Sequence, residues 1–331
     1  MLILIIGIKL YFFPSFSPEV FEKNSSKEVH IPRGSTLNEI SQILFENQVL
    51  SNKTLFVLLG KISGKQHQIK AGLLKIPEGL HPWHLLNYLI NPESVRLKVT
   101  IPEGIRAAEI ASILRQSDDI DSTYFMQLVT DSNFCKELGV EATSLEGYLQ
   151  PETYYLTVGM DEKEIIRLLV ENTLSIFSED SVRRQMENLN MSIHQVLTLA
   201  SIIEGEVLVD SERVLVSSVY HNRLKRGWRL QADPTIQYIL RGKPRRLLHK
   251  HLEINSPYNT YLYKGLPPGP INNPGRRSIL AALFPAETDY MYFVANGKGG
   301  HYFSRTAKEH ARWKAKFDQI RREVRRNRKK Y

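Results

Sequence analysis

Glu204 lies at the end of an apolar segment that has helical spacing. Residues 192–209 are predicted to form a helix, and Ser192 is suited to cap its start. One face of this helix is apolar and carries Ile193, Val196, Leu197 and Ala200. Glu204 continues that spacing, whereas Glu206 does not, and Gly205 predicts that the helix ends there. The sequence therefore predicts a carboxyl group on a buried face, at the rim of a domain.

A carboxyl group in this position has the properties of a general acid. Burial makes the ionised form costly, so such a group tends to hold its proton near neutral pH. The cleavage of a glycosidic bond needs an acid in that state. The alternative is that Glu204 pairs with a structural arginine such as Arg213 or Arg223, and the spacing leaves both interpretations open.

A second pair of carboxyl groups, Glu146 and Glu152, lies in the segment LEGYLQPETYYL at 145–156. Its tyrosines offer flat apolar faces and its acids can bind hydroxyl groups, which suits a sugar. Taken alone, the pattern favours a surface turn around Pro151 with tyrosines packed in the core.

Several amides and charged groups stand near predicted turns and could bind N-acetyl or hydroxyl groups. They are Asn222, Arg223, Gln231, Asp233 and Asn259. Such residues are also common at turns and caps, so each alone is weak evidence. His301, after the turn at 296–300, is expected to be structural.

The elements around these residues indicate an α+β protein. Three Ile-Pro-x-Gly turns, which begin at Ile31, Ile76 and Ile101, each follow a β-type segment and precede an amphipathic helix. Further on, 214–224 is predicted as a helix, 290–295 as a strand, and a last helix from about Thr306. Residues 256–275 hold five Pro and three Gly, which predicts a long ordered loop with Tyr258 in it.

Composition excludes several classes of protein. The chain has 331 residues and one cysteine, Cys135, so it has no internal disulfide, and no Cys/His spacing fits a structural zinc site. The net charge is +9, but residues 321–331 carry +6 of it. A solvated basic tail explains this distribution better than a nucleic-acid surface, and contact with an anionic surface is the alternative. The sequence lacks G-x-x-x-x-G-K-[ST], G-x-S-x-G and H-E-x-x-H.

The N-terminus predicts a membrane anchor. Residues 1–13, MLILIIGIKLYFF, are apolar except for Lys9, and no cleavage site follows. As a helix they span roughly 20 Å, short of the roughly 30 Å bilayer core. We expect an anchor whose first residues are missing from the sequence, although a buried strand also fits.

Seven segments together resemble the endolytic murein transglycosylase family, also called MltG or YceG-like. They are LEGYLQPETYYL, ASIIEGE, SERVLVSSVYHNRL, LQADPTIQY, SPYNTY with GLPPGPINNPG, SILAAL, and YFVANGKGGHYFS, in the family's order. The family resemblance implies a LysM-like module before them and a single membrane anchor. The expected organisation is an anchor at 1–16, a linker at 17–27, a LysM-like α/β module at 28–98, a mixed α+β catalytic domain at 99–320 and a basic tail at 321–331.

The resemblance also implies a reaction. The family cleaves between N-acetylmuramic acid and N-acetylglucosamine in nascent glycan strands and leaves a 1,6-anhydro end. Glu204 matches the family's catalytic glutamate. Glu146, Asn222, Gln231, Tyr258 and Asn259 are assigned to substrate binding, and no metal or organic cofactor is implied. The expected partners are peptidoglycan strands, the cytoplasmic membrane and, as candidates, peptidoglycan synthases. The catalytic domain is expected outside the cytoplasm.

Two departures from the family pattern concern residues near the site. This chain has Glu-Gly-Glu where Glu-Lys-Glu is expected, and its LQPET segment lacks the aromatic residues of some relatives. A glycine costs about 1 kcal/mol inside a helix, so the helix is expected to end early.

Two other functions compete. One is a wall-binding partner of the synthesis machinery without catalysis, which has no need of an acid on a buried face. The other is a cytosolic lyase of amino-chorismate compounds, which needs pyridoxal phosphate and a Schiff-base lysine. The only lysines within the stretches that match the family are Lys264 and Lys298, and both lie on Gly-rich loops. A cytosolic enzyme also has no use for an apolar N-terminus.

Overall fold

The computed structural model describes residues 25–92, 95–115, 120–157, 159–242 and 245–328. The predicted anchor at 1–16 lies outside them, as does most of the linker. No helix in the described ranges is both long enough and apolar enough to cross a bilayer.

The described residues form small sheets among many helices, which confirms the α+β class. The strands are β1 Ser26–Ile31, β2 Gly72–Pro77, β3 Arg96–Thr100, β4 Thr153–Thr157, β5 Tyr292–Ala295 and β6 His301–Ser304. The helices are α1 Leu37–Glu46, α2 Lys53–Ile62, α3 Pro82–Tyr88, α4 Ala107–Leu114, α5 Ser122–Val129, α6 Ser132–Glu137, α7 Glu162–Ile176, α8 Asp180–Leu189, α9 Ile193–Glu206, α10 Arg213–Lys225, α11 Asp233–Leu240, α12 His249–Leu252, α13 Arg276–Leu283 and α14 Ala307–Arg328. Within the described ranges the strands pair as β1–β2, β3–β4 and β5–β6.

The three Ile-Pro-x-Gly segments all form the predicted turn from a strand towards a helix. Their glycines Gly34, Gly79 and Gly104 have φ angles of 75°, 79° and 75°. This left-handed conformation is unfavourable for residues that carry a Cβ, which explains why glycine ends each motif.

The chain divides into two compact units. The first comprises the described residues up to 99 and those within two returning segments, 114–121 and 153–165. In it, β1 and β2 pair antiparallel from Ser26 opposite Pro77 to Ile31 opposite Gly72, with α1 and α2 between them in sequence. Thr36 caps α1 through a capping box with Glu39. The buried side chains of these elements form one apolar core.

The second unit comprises residues 100–113, 122–152 and 166 onwards, and α9 lies at its centre. Ser192 caps α9, as predicted, and forms a capping box with Gln195. Every residue from Val196 to Ile203 is buried, because α9 packs against α10, α11 and α13. A helix buried on all sides does not single out one face, so the apolar spacing alone does not distinguish Glu204.

The helix α9 ends at Glu206, one residue after Gly205, which agrees with the expected early end to within one residue. A Cβ at Gly205 would stand 2.8 Å from the Cβ of Pro234 at the start of α11. Glycine is therefore needed here for the close approach of α11, and that constraint outweighs its cost inside a helix.

The remaining predicted elements of this unit form with small shifts. The helix predicted at 214–224 is α10, the strand predicted at 290–295 is β5, and the turn at 296–300 joins β5 to β6. Residues 256–275 contain no helix or strand. The last helix, α14, starts at Ala307 and runs past residue 321 without a break, so most of the predicted basic tail is helical.

Candidate active site

Glu204 lies in the last turn of α9 with only 7% of its side chain exposed. Each carboxylate oxygen has its own partner. Oε1 pairs with Nη1 of Arg213 at 3.1 Å, and Oε2 accepts a hydrogen bond from the backbone N–H of Gly275 at 3.0 Å. The carboxyl group is therefore held in one orientation, and the pairing with Arg213, left open by the sequence, is confirmed.

Arg213 is the first residue of α10, and four side chains surround its guanidinium. Besides Glu204, its Nε contacts Oδ1 of Asp210 at 2.9 Å, and its Nη1 donates to the hydroxyl of Ser278. The fourth is Glu103, whose Oε2 lies 3.8 Å from Nη2 of Arg213. Its 12% exposure shows that this arginine is part of the site's interior and not a surface ion pair.

Gly275 caps the start of α13 and approaches Glu204 from the other side. The N-terminal end of a helix carries a partial positive charge, which stabilises a nearby carboxylate. Gly104 closes the site against the same side chain, because a Cβ at Gly104 would stand 3.3 Å from Cγ of Glu204. Glycine at position 104 therefore leaves room for the side chain of Glu204.

Glu103 provides a second carboxyl group near Arg213, and the sequence motifs did not indicate it. It belongs to the Ile-Pro-Glu-Gly turn at 101–104, and 46% of its side chain is exposed. Burial raises its pKa, the charge of Glu204 raises it further, and the Arg213 guanidinium opposes both. The same turn in the first unit has Glu78, which instead pairs with Lys27. The motif alone therefore does not show which glutamate joins a site.

Glu146 lies beside Asn273 and has a different environment from Glu204. Its Oε1 accepts hydrogen bonds from the backbone N–H of Ala107 and from Nδ2 of Asn273, both at 3.0 Å. Asn273 in turn accepts bonds from the N–H groups of Gly147 and Leu149 through Oδ1. Burial raises the pKa of Glu146 to about 7, against the opposing effect of the Ala107 hydrogen bond. This carboxyl group ties segments of its own chain together.

Glu206 is less accessible than the helical spacing predicted. It lies on the side of α9 that approaches Asp233 and Arg223. Burial raises its pKa to about 8, and the charge of Asp233 adds to that effect, whereas Arg223 opposes it. Glu206 therefore does not face Arg213 and Gly275 as Glu204 does, and it is partly buried on its own side of α9.

Two predicted substrate-binding amides are already bonded to their own chain. Asn222 donates from Nδ2 to the carbonyls of Thr288 and Tyr290. Asn259 is fully buried and donates to the carbonyls of Leu252, at the end of α12, and Ile254. These bonds hold the backbone, and a substrate-binding role for either residue stays a prediction.

Gln231 and Tyr258 are more accessible. Gln231 is exposed and has a φ of 51°, a left-handed conformation that costs energy for a residue with a side chain. Tyr258 is half-buried, and its ring lies 4.8 Å from that of Tyr238, over which the guanidinium of Arg106 sits at 4.7 Å. The binding roles of Gln231 and Tyr258 also stay predictions.

The other candidates have structural partners. Nδ1 of His301 contacts Oε2 of Glu212 at 2.7 Å, in keeping with its expected structural role. Arg223 donates to the carbonyls of Met291 and Leu230, so it is not the partner of Glu204. Asp233 accepts a hydrogen bond from the hydroxyl of Tyr261, and Glu152 is exposed. In the described part of the chain, no three His, Cys, Asp or Glu side chains are grouped to hold a metal ion.

Sequence reasoning missed Glu103 and Gly275, and named Arg213 only as an alternative. Gly275 contacts Glu204 across 71 residues of sequence, Arg213 contacts it from the start of the next helix, and Glu103 joins the site through Arg213, so no local spacing reveals them. The repeated Ile-Pro-x-Gly turn was the one available signal for Glu103.

The sequence model of the YceG-like family matches residues 29–316, which is most of the chain. The chain belongs to the YceG-like family. An endolytic murein transglycosylase of Bacillus subtilis (strain 168) is 32% identical over 327 residues, with 94% of this chain and 90% of the relative covered. Its namesake in Streptococcus pneumoniae is 26% identical, and there this chain spans 58% of the relative's length.

A solved structure agrees with the fold. The crystal structure of a YceG-like protein from Listeria monocytogenes is 32% identical in sequence and has a TM-score of 0.60. The match covers 88% of this chain and 99% of that one. The α+β architecture is therefore common to both proteins.

Proposed function

We propose that this chain is an endolytic murein transglycosylase, a lytic enzyme that cleaves peptidoglycan glycan strands with Glu204 as its acid and base. The observation that carries this proposal is the fixed carboxyl group of Glu204 between Arg213 and the N–H of Gly275. The names of the relatives supply the substrate class, and the site supplies a group capable of the proton transfers.

The proposed reaction has two proton transfers at one residue. Glu204 first donates a proton to the glycosidic oxygen between N-acetylmuramic acid and N-acetylglucosamine, and that C–O bond breaks. As a carboxylate it then takes the proton of the C6 hydroxyl, whose oxygen closes the 1,6-anhydro ring. Arg213 and the start of α13 stabilise the carboxylate between the two steps. The acid is restored at the end, so no net proton is consumed.

Most glycosidases need a second carboxylate, either as nucleophile or as base, with substrate-assisted exceptions. In the proposed reaction the N-acetyl group of the substrate stabilises the positive charge at the anomeric carbon, and the C6 hydroxyl takes the place of water. A second carboxylate is therefore not required for the covalent steps.

The organisation expected from the family belongs to the same proposal. The β1–α1–α2–β2 arrangement of the first unit is proposed as a LysM-like module that binds wall glycan. Residues 1–16 are proposed as a membrane anchor that keeps the second unit outside the cytoplasm, near candidate synthase partners. Glu146, Asn222, Gln231, Tyr258 and Asn259 are proposed to position the substrate, either directly or through the backbone that they hold.

Mass spectrometry of purified glycan strands after incubation with the full-length chain tests the proposal. We expect fragments with 1,6-anhydro ends from the wild type and none from Glu204→Gln. Reducing ends would make the enzyme a hydrolase instead. Binding to glycan strands without cleavage by the wild type would favour a wall-binding protein and contradict the proposal.

A further inference from the structure

Arg106 is a half-buried cation that has no carboxylate partner among the described residues. It lies directly before α4, and its Nη2 donates a hydrogen bond to the backbone carbonyl of Gln237 in α11 at 3.1 Å. Its guanidinium lies 4.7 Å from the centre of the Tyr238 ring. The ring orients the guanidinium without neutralising its charge, so the remaining N–H groups of the fork can bind a planar anion.

Two acids close to Arg106 do not pair with its guanidinium. Glu109 accepts a hydrogen bond from the backbone N–H of Arg106 at 3.0 Å. Burial raises the pKa of Glu146 to about 7, and the charge of Arg106 opposes that rise without cancelling it. Glu146 is therefore only partly ionised near neutral pH, and its Oε1 is bonded to Ala107 and Asn273. A half-buried charge without compensation is costly, and the start of a helix is an unfavourable place for a cation.

Arg106 also lies between the two elements that approach the end of α9. The turn before α4 contacts Glu204 through Gly104, where a Cβ would stand 3.3 Å from Cγ of the glutamate. Arg106 follows two residues later, so its Cα is within about 7 Å of the Cα of Gly104. On the other side, Pro234 of α11 packs against Gly205, whose backbone is exposed. A strand that lies over Glu204 therefore passes close to the guanidinium of Arg106.

We infer that Arg106 is a substrate-binding residue that takes a carboxylate of the peptide stem carried by N-acetylmuramic acid beside the cleaved bond. The inference rests on the proposed function and names the form of glycan that the site prefers, which is a strand with acidic stems. The guanidinium donates N–H groups to the carboxylate oxygens. The phosphate-linked end of a nascent strand is another anion, but an endolytic enzyme cuts away from strand ends, so that phosphate is remote from Glu204.

Cleavage of two forms of one glycan preparation by the full-length chain tests this inference. In one form the stems are native. In the other, carbodiimide and excess ammonia convert their carboxyl groups to amides, so the stems keep their size and lose their negative charge. Initial rates at low substrate concentration give kcat/KM for each form. We expect the wild type to cleave the native form more efficiently, on the order of tenfold to hundredfold.

Three variants assign this preference to one residue. Arg106→Gln should cleave both forms as the wild type cleaves the amidated form. Arg106→Lys keeps the charge but loses the planar fork, so it should retain only part of the preference. Arg226→Gln is the matched control, because Arg226 is exposed at the far end of α10. It removes the same charge and should keep the wild-type preference, which controls for the general attraction between a basic chain and an acidic substrate.

The outcomes separate this inference from the proposed function. Equal cleavage of both forms by an active wild type would overturn the inference alone. A preference that persists in Arg106→Gln would also overturn it, because another residue would then bind the stem. If Arg106→Gln does not fold, as judged by circular dichroism, Arg106→Lys decides, and an undiminished preference in that variant contradicts the inference. No cleavage of native strands by the wild type would overturn the proposed function, and the inference with it.

Discussion

Glu204 and Glu146, two enclosed glutamates of the second unit, differ in the charge of their partners. Glu204 has a guanidinium at 3.1 Å and a helix start at 3.0 Å. Glu146 has a backbone N–H and a side-chain amide, both neutral. In the proposed reaction, the positively charged partners of Glu204 stabilise the carboxylate that forms after proton donation, whereas the neutral donors around Glu146 fix its position in the chain. Burial alone does not identify the acid of a site, and the partners do.

The partners of Glu204 come from other segments of the chain, and for this reason only part of the site can be predicted from the sequence. Local signals were sufficient for the cap at Ser192, the Ile-Pro-x-Gly turns and the family motif that contains Glu204. The environment of Glu204 depends on Glu103 and Gly275, which reach it from distant segments. The burial of Glu206 depends on α11 and α10 packing around α9, which helical periodicity does not describe.

The largest expected effect comes from removal of the cation. Arg213→Met leaves the buried Glu204 without its charged partner, which should lower the free energy of unfolding by about 2–4 kcal/mol. Arg277→Met is the matched control, because Arg277 is 71% exposed and pairs with Asp210 at 3.1 Å. Its expected cost is below about 0.5 kcal/mol. Chemical denaturation of both variants measures the difference. Equal losses would show that Arg213 acts as an ordinary surface cation.

A smaller effect should appear in the pH dependence of stability at Glu146. Its folded pKa is about 7, above the ordinary value of 4.5, so the folded state binds more protons between these values. The stabilisation by this group is fully present below pH 4.5 and is lost as pH rises through 7. Relative to Glu146→Gln, the wild type should therefore lose up to about 3 kcal/mol of stability between pH 4.5 and 8.

Denaturation midpoints at several pH values check this slope, with the exposed Glu141→Gln as a control. The glutamine carbonyl can still accept the bonds from Ala107 and Asn273, so the variant should fold. A wild type and a Glu146→Gln variant with parallel stability profiles would show that Glu146 titrates as an exposed carboxyl group does.

The central claim is that Glu204, and not Glu146, performs the proton transfers. The most direct measurement is the initial rate of glycan-strand cleavage by Glu204→Gln and Glu146→Gln, each per folded molecule at a pH where both are stable. We predict a loss on the order of 10³-fold for Glu204→Gln and a change within about threefold for Glu146→Gln. Comparable losses in both variants, or a Glu204→Gln enzyme that retains its rate, would contradict the account.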